Sequence, residues 1–463
     1  MKTLFKTMML FLIATTLLPG CTKYLEDATE NPNNPTVASP GSMLATIELA
    51  TFSNYSGQSA RRAAILTQQM SGTDGQMIEL ANYLIFEGDV TNEWTGIYTN
   101  AVVNCNLMIE TYGEKNPYYA GIAKVIKAMN IGLATDMWGD VPFSEAGLGL
   151  QGNSAPKYDT QESIYAGLQI LLSDAIADLS KDASLNSFFP TGDYIYGGNT
   201  ESWISAAWLL KARYANRLSD RDPSGSATKA LEYLTNAGLT GPENDMNAQF
   251  GEAGNELNQW YAFEAYRGGY MRMGQFFVDT LISSNDPRLA YYAALNDSGL
   301  YSGSSSNPDF ADVSASAIGS YFGSAASIAP LATYVEAKFI EAEANLRLGN
   351  TALSATACND AVKASVAQIT GAEDVAYETA YASETDATIS LSKIMYQKYV
   401  AMFTQVEVWN DWRRTNYPAL TPNPAGSQTE IPRILPTSQD ERLYNPNAIL
   451  VENILNKVWW DFN

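Results

Sequence analysis

The sequence predicts an all-α protein, a helical bundle built on tetratricopeptide-like helix pairs and joined by long loops. Three observations carry that expectation. Apolar residues recur with a period near 3.6 over most of the chain beyond Gly41, strand-like alternation is rare and local, and neighbouring helical segments place small residues where two helices would touch.

The chain opens on two lysines, Lys2 and Lys6, followed by the apolar run Met8 to Leu18, which is too short to span a bilayer and is built like a secretory signal. It ends at Leu18-Pro19-Gly20-Cys21, similar to a bacterial lipobox, in which cleavage leaves the cysteine as a lipidated N-terminus. Residues 1–20 are therefore read as a lipoprotein signal peptide, with Cys21 as the lipidation site. Residues 21–40 form a tether rich in Pro and Asn. Its acidic cluster, Glu26, Asp27 and Glu30, resembles the surface-export signal of Bacteroidota lipoproteins, although solvated tether charge accounts for it equally well. The expected location is the outer membrane, lipid-anchored and surface-exposed. No later stretch is long and apolar enough for a membrane helix.

Residues 41–463 read as one helical domain. Helical periodicity covers Ser42 to Phe52, Ala60 to Met70, Glu93 to Glu110, Tyr119 to Thr135 and Glu162 to Ser180. It continues over Glu201 to Ser219, Ala227 to Ala237, Met273 to Ser283, Tyr334 to Leu348, Ser354 to Ala367 and Ser392 to Val408, with Gly, Asn and Pro clusters at the breaks. In Tyr334 to Ala367 the small residues Ala342, Ser354 and Ala361, with Gly349 at the turn, keep the spacing that lets paired helices approach. Tyr119 to Ser180 and Glu201 to Ala237 look like further pairs. A single pair cannot bury its apolar face, so such units are expected to stack into a curved solenoid.

Composition narrows the function. The formal charge of -22 becomes -24 once the leader's two lysines are removed, and so acidic a surface repels phosphate backbones, which excludes nucleic acid as a partner. Histidine is absent, which removes the usual general base, the commonest metal ligand and every imidazole-centred triad. Cys105 and Cys358 belong to no metal-binding cluster and read as buried thiols. No cofactor is indicated, and no EF-hand-type loop points to calcium.

Four stretches carry more specific information. Thr135-Asp136-Met137-Trp138-Gly139-Asp140-Val141-Pro142-Phe143-Ser144-Glu145-Ala146 follows a helix, and Trp138 with Phe143 can pin the loop to it. Asp136, Asp140 and Glu145 have the composition of a glycosidase carboxylate pair, but carboxylates at a helix end more often cap amides or stay solvated. Asn285-Asp286-Pro287-Arg288-Leu289 reads as a helix stop whose arginine is satisfied by carbonyls or a carboxylate. The third is the helix Tyr334 to Ala344. The fourth runs from Gln397 to Phe403 and on through Glu407-Val408-Trp409-Asn410-Asp411-Trp412-Arg413-Arg414 to Pro418, where the arginines are expected to stack and pair internally.

Together these stretches, in this order and behind a lipoprotein leader, resemble the SusD/RagB family, particularly its SusD-like branch of starch-binding outer-membrane-associated proteins. The resemblance reaches from the N-terminus to about Asn447, with Gln439 where the family's closing motif usually has an acidic residue. It implies a SusD-like α-superhelix with four tetratricopeptide-like units, acting beside a SusC-like TonB-dependent transporter. It further implies capture of oligosaccharides without catalysis, or of oligopeptides on the same scaffold. A surface glycosidase and a helical scaffold that binds only proteins are the rivals from other classes.

Glycan capture needs aromatic faces for sugar rings and polar side chains for hydroxyls. The candidate ligand-binding residues are Trp260, Tyr261, Tyr266, Arg267, Tyr270 and Arg272 in one loop, Tyr301, Tyr321 and Phe322 in another, and Asp74, Trp94 and Tyr98 in a third region. Each aromatic has an alternative role in packing loops onto the solenoid, and the helical spacing of Trp94 and Tyr98 suits that role.

Overall fold

The computed structural model describes residues 38–462. The signal peptide, Cys21 and the tether up to residue 37 lie outside the described residues. The first helices are α1 (Pro40–Ser56) and α2 (Gln58–Leu66), followed by the short strand β1 (Met70–Gly72) and α3 (Gly75–Ala81). Next come α4 (Thr91–Thr95), a π-helical segment (Gly96–Val102) and α5 (Val103–Tyr112), which run on as one rod. The long helices α6 (Pro117–Trp138), α7 (Gln161–Leu179), α8 (Thr200–Arg217) and α9 (Pro223–Ala237) follow.

The middle of the chain is more irregular. It contains β2 (Met246–Ala248), α10 (Gln259–Tyr266), β3 (Met271–Met273), α11 (Gln275–Ser283), α12 (Leu289–Tyr292), α13 (Ser320–Gly323) and β4 (Ala329–Ala332). The last helices are α14 (Tyr334–Arg347), α15 (Thr351–Thr370), α16 (Val375–Tyr381), α17 (Leu391–Ala401), α18 (Glu407–Thr415) and α19 (Gln439–Tyr444). The strands make two separate two-stranded antiparallel ribbons, β1 with β3 and β2 with β4.

The helices pair as the small-residue pattern predicts. α6 packs on α7, α8 on α9 and α14 on α15, while α7 meets α8 and α9 meets α14, so the pairs stack. Ala342, Ser354 and Ala361 are fully buried, and Gly349 turns α14 into α15 at φ +78°, a conformation that favours glycine. A fourth pair, α1 with the π segment and α5, packs on α6. Local capping sets the helix starts: Thr160 opens α7, Asn199 opens α8 and Asp222 with Pro223 opens α9.

Buried ion pairs cross-link the stack. Arg213 and Arg217 on α8 meet Glu336 (2.5 Å), Asp136 (3.2 Å) and Glu407. Arg414 meets Glu343 and Asp411, and Lys398 meets Asp411 at 2.7 Å. Arg413 lies over Trp409 at 3.7 Å and over Trp460 at 4.7 Å. The double arginine is thus spent on internal stacking and pairing, as the sequence suggests. Arg288 is likewise buried, held by Asp286 at 2.6 Å and by Ser365 at 2.8 Å.

Three expected helix bounds need correction. The helix expected over Ala60 to Met70 ends at Leu66, and Met70 belongs to β1. The segment Ser392 to Val408 is not one helix: it breaks between α17 and α18, where Thr404 adopts φ +71° and Phe403 drops into a cluster with Phe277, Tyr292 and Phe322. Met273 belongs to a strand, so the helix expected from it starts at Gln275. Cys105 and Cys358 are buried free thiols, and burial pushes each up to about 12. Among the described residues, no helix is long and apolar enough to cross a membrane.

Candidate functional site: a ribbon, a cleft and an aromatic edge

The β1–β3 ribbon brings together segments about 200 positions apart in the chain. Met70 pairs with Met273, Ser71 with Arg272 and Gly72 with Met271. The methionines turn into the core, while Ser71 and Arg272 meet the overlying loop: Ser71 Oγ donates to Ser305 O at 2.5 Å and Arg272 Nε to Val313 O at 2.8 Å. Arg272 also pairs with Glu264 at 3.0 Å.

At the end of the ribbon the chain enters α3 through exposed Asp74, whose Oδ1 accepts from Gly75 N at 2.7 Å. The Tyr270 carbonyl accepts from Thr73 N at 2.9 Å and from Asp74 N at 3.3 Å. Gly75 sits at φ +51°, and a Cβ there would lie 2.4 Å from the Tyr270 ring. That glycine is what lets the ring lie beside Asp74.

α10 then divides its aromatics between two environments. Asn258 caps it, accepting from Trp260 N at 2.8 Å. Trp260 and Phe263, three residues apart, both turn inward: Trp260 is 3% exposed and meets Phe403, and Phe263 lies between Arg61 (4.5 Å) and Tyr270 (6.4 Å). Tyr266 ends the helix 72% exposed, with exposed Arg267 beside it over the Phe263 ring at 5.6 Å. Tyr261 and Tyr270 are half-buried.

Beside the ribbon lies a polar cleft of about 210 Å³, walled by Gln68, Ser71, Gln275, Phe276, Asp279 and Ser305, among others. None of these residues was singled out from sequence. A usable signal existed in Gln275 and Asp279, which lie four apart on an amphipathic helix and so share its solvent face. Tyr301 on the covering loop is half-buried, and that loop also carries Phe310, 73% exposed.

Several sequence candidates stand elsewhere. Phe322 is buried against Tyr292 and Phe403, and Tyr321 packs edge-on to it with its hydroxyl near Gln368 O at 3.4 Å. Trp94 is 6% exposed and packs against Tyr98 (4.5 Å) and edge-to-face with Trp138 (5.1 Å), donating from Nε1 to Glu441 at 3.2 Å. Tyr98 donates to Pro142 O at 2.9 Å. Trp94, Trp260 and Phe322 therefore offer no free face to a ligand, because each ring is consumed in the core, and Tyr98 is half-buried against it. The surface instead gathers Asp74, Tyr266, Arg267, Tyr270 and Arg272.

The acidic residues near Trp138 are also committed. Asp136 is buried among Tyr165, Arg217 and Asn410. Asp140 Oδ1 accepts from Gln161 N at 2.7 Å at the start of α7, and Glu145 accepts from Lys157 N at 3.0 Å. Asp140 thus caps the start of α7, and Glu145 satisfies a loop amide. What the ribbon surface can do is stack and hydrogen-bond: rings, guanidiniums, carboxamides and hydroxyls converge there.

The family model described as SusD-like, starch-binding associating with outer membrane, matches residues 32–436. A SusD/RagB family protein from Bacteroides thetaiotaomicron is 26% identical, with a TM-score of 0.76 over 92% of this chain and 99% of that one. A chitin-binding SusD homologue from Flavobacterium johnsoniae is 22% identical, with a TM-score of 0.77 over 92% of this chain and 97% of that one. A SusD homologue from Bacteroides uniformis is 19% identical, with a TM-score of 0.77 over 92% and 99%. No curated protein matches the chain. With its family model matched over most of its length, and with this stack of helix pairs, the chain belongs to the SusD-like family.

Proposed function

We propose that this protein is a non-catalytic glycan-binding lipoprotein that captures oligosaccharides at the cell surface and passes them to a SusC-like TonB-dependent transporter. The observation that carries the reading is the ribbon edge, where Tyr266 and Tyr270 supply ring faces beside Asp74, Arg267, Arg272 and a polar cleft. Sugar rings present apolar C–H faces and a rim of hydroxyls, which matches that pairing of aromatic and polar groups. The family's description and the chitin-binding relative support a carbohydrate ligand. The lipobox-like Cys21 supports anchoring to the outer membrane. The chain carries no histidine, and Asp136, Asp140 and Glu145 are spent on capping and internal pairing, which supports binding without turnover.

The test is to titrate the lipid-free chain from Thr22 onward with maltooligosaccharides, chitooligosaccharides and a wider glycan panel, and to search each mixture for hydrolysis products. Saturable binding with the glycan recovered intact is the expected result. Release of shorter sugars would replace the reading with a glycosidase, and silence toward glycans with binding of oligopeptides would replace the cargo.

A further inference from the structure

A second pocket, of about 240 Å³, lies where α1 ends and α2 begins, closed on its other side by α4, the π-helical segment and the start of α10. Its polar lining is mostly hydroxyl and carboxamide groups, from Ser53, Asn54, Gln58, Asn92, Asn100 and Gln259 among others, with one cation and one carboxylate, Arg61 and Glu93, and no aromatic ring in the wall. Such a wall, whose one cation and one carboxylate offset each other, suits a ligand without net charge that is rich in hydroxyls or amides held by its edges. At this volume it admits a single small ring, since drug-sized ligands occupy roughly 300–1,000 Å³.

The pocket is built, not incidental. Asn54 Nδ2 donates to Asn130 Oδ1 at 2.8 Å, and Asn130 in turn donates to Thr51 Oγ1 at 2.8 Å, so Asn54 is fixed from behind. A Cβ at Gly96 would lie 2.3 Å from Asn54 Oδ1, so that position must be bare for the amide to reach the helix. Gly96 also opens the π-helical segment, an element found mostly at functional sites. Ser59 Oγ, Arg61 Nε and Glu93 Oε2 belong to wall residues and are buried with no hydrogen-bond partner. Groups left unpaired in this way are costly and call for an explanation.

The pocket is tied to the aromatic edge through α10. Gln259 in the pocket wall and exposed Tyr266 are seven residues apart, so they lie on one face of the helix about 10 Å apart along its axis. Arg61 joins the two places from beneath: Nη1 donates to Gln259 O at 3.1 Å, and the guanidinium lies under Phe263, whose ring meets Tyr270.

We infer that this pocket is an end subsite that takes one terminal pyranose unit edge-on, while the following units of the same glycan lie along α10 toward Tyr266. The inference rests on the glycan reading above. It is tested by calorimetry of the chain from Thr22 onward with malto- and chitooligosaccharides of two and six units, comparing the wild type with Ser53→Phe, Asn100→Leu and Tyr266→Ala. Ser53 and Asn100 are exposed, so neither substitution disturbs the core. The expected result is about a tenfold loss of affinity for the six-unit sugar in both pocket variants, a difference of about 1.4 kcal/mol. The two-unit sugar is too short to span both places and loses affinity only in Tyr266→Ala. If the wild type binds and both pocket variants match it for the six-unit sugar, the subsite is overturned while the glycan reading stands. If the pocket variants lose binding and Tyr266→Ala does not, the subsite stands and the aromatic edge falls. If the wild type binds neither series nor any glycan of the wider panel, both readings are overturned.

Discussion

Removing the Glu343 carboxylate tests whether buried ion pairs hold the helix stack together. Glu343 is 1% exposed on α14, where it meets Arg414 of α18 and accepts from Asn216 of α8 at 3.0 Å, with Arg347 at 3.4 Å. Burial alone would raise its pKa, but the guanidiniums of Arg414 and Arg347 outweigh that and hold it below the usual carboxylate range. Glu343→Ala removes one carboxylate partner from the buried Arg414, and losing one partner of a buried pair costs about 3–5 kcal/mol. An unfolding entropy of about 2.1 cal/mol/K per residue gives roughly 0.9 kcal/mol/K for a chain of this length, so the melting temperature should fall by about 3–6 °C. Scanning calorimetry reads this directly. The matched control is Glu87→Ala, which breaks the half-exposed pair with Arg442 and should cost no more than about 1 kcal/mol, or about 1 °C. Equal shifts in the two variants would refute the argument, because it assigns the difference entirely to burial.

Further predictions follow from the same structure. Glu343, Glu407, Asp411 and Asp286 all titrate below their ordinary values, so their contribution is complete above the unfolded carboxylate range and is lost as pH falls through their folded values. Melting scans should show stability declining steeply below about pH 4, and a flat profile down to pH 2 would contradict the network. Glu48 behaves oppositely. Burial, with Asp193 beside it, pushes it up to about 10, so it stays protonated in the folded state while the unfolded chain ionises, and it lowers stability as pH rises from about 4.5 toward 10. Glu48→Gln keeps an acceptor for Tyr194 N and should raise the melting temperature at pH 8 but not at pH 4, as scans at the two values would show. Gly75→Ala should cost about 1–2 kcal/mol from its positive φ and displace the Tyr270 ring, weakening glycan affinity, which calorimetry would measure.

The fold was largely legible because helix periodicity is local. The pairs α6/α7, α8/α9 and α14/α15 each declare themselves through apolar spacing and small residues within about 60 positions. The α1 pair does not, since α2, β1 and α3 intervene between its two members, which therefore are not neighbours along the chain. The candidate site is legible only in part. Composition singles out Tyr266, Arg267, Tyr270 and Arg272, and the chain places them at the end of α10 and the start of β3, where the Tyr270 carbonyl accepts from Asp74 N. Trp260, expected on a loop, is instead buried because Asn258 caps a helix there and the i, i+3 pair Trp260 and Phe263 forms its inward face. The cleft residues Gln68, Gln275 and Ser305 were missed because they meet only through the β1–β3 register, which three-residue strands do not announce.

The most direct test of glycan capture at the ribbon edge is the affinity of Tyr266→Ala and Tyr270→Ala for whichever oligosaccharide the wild type binds, measured beside Phe189→Ala, a 63% exposed aromatic remote from the ribbon in sequence. Each stacking ring is worth about 0.5–1.5 kcal/mol beyond its buried area, so both tyrosine variants should lose about tenfold or more while Phe189→Ala binds as the wild type does. Unchanged affinity in both tyrosine variants, with folding intact, would contradict the account.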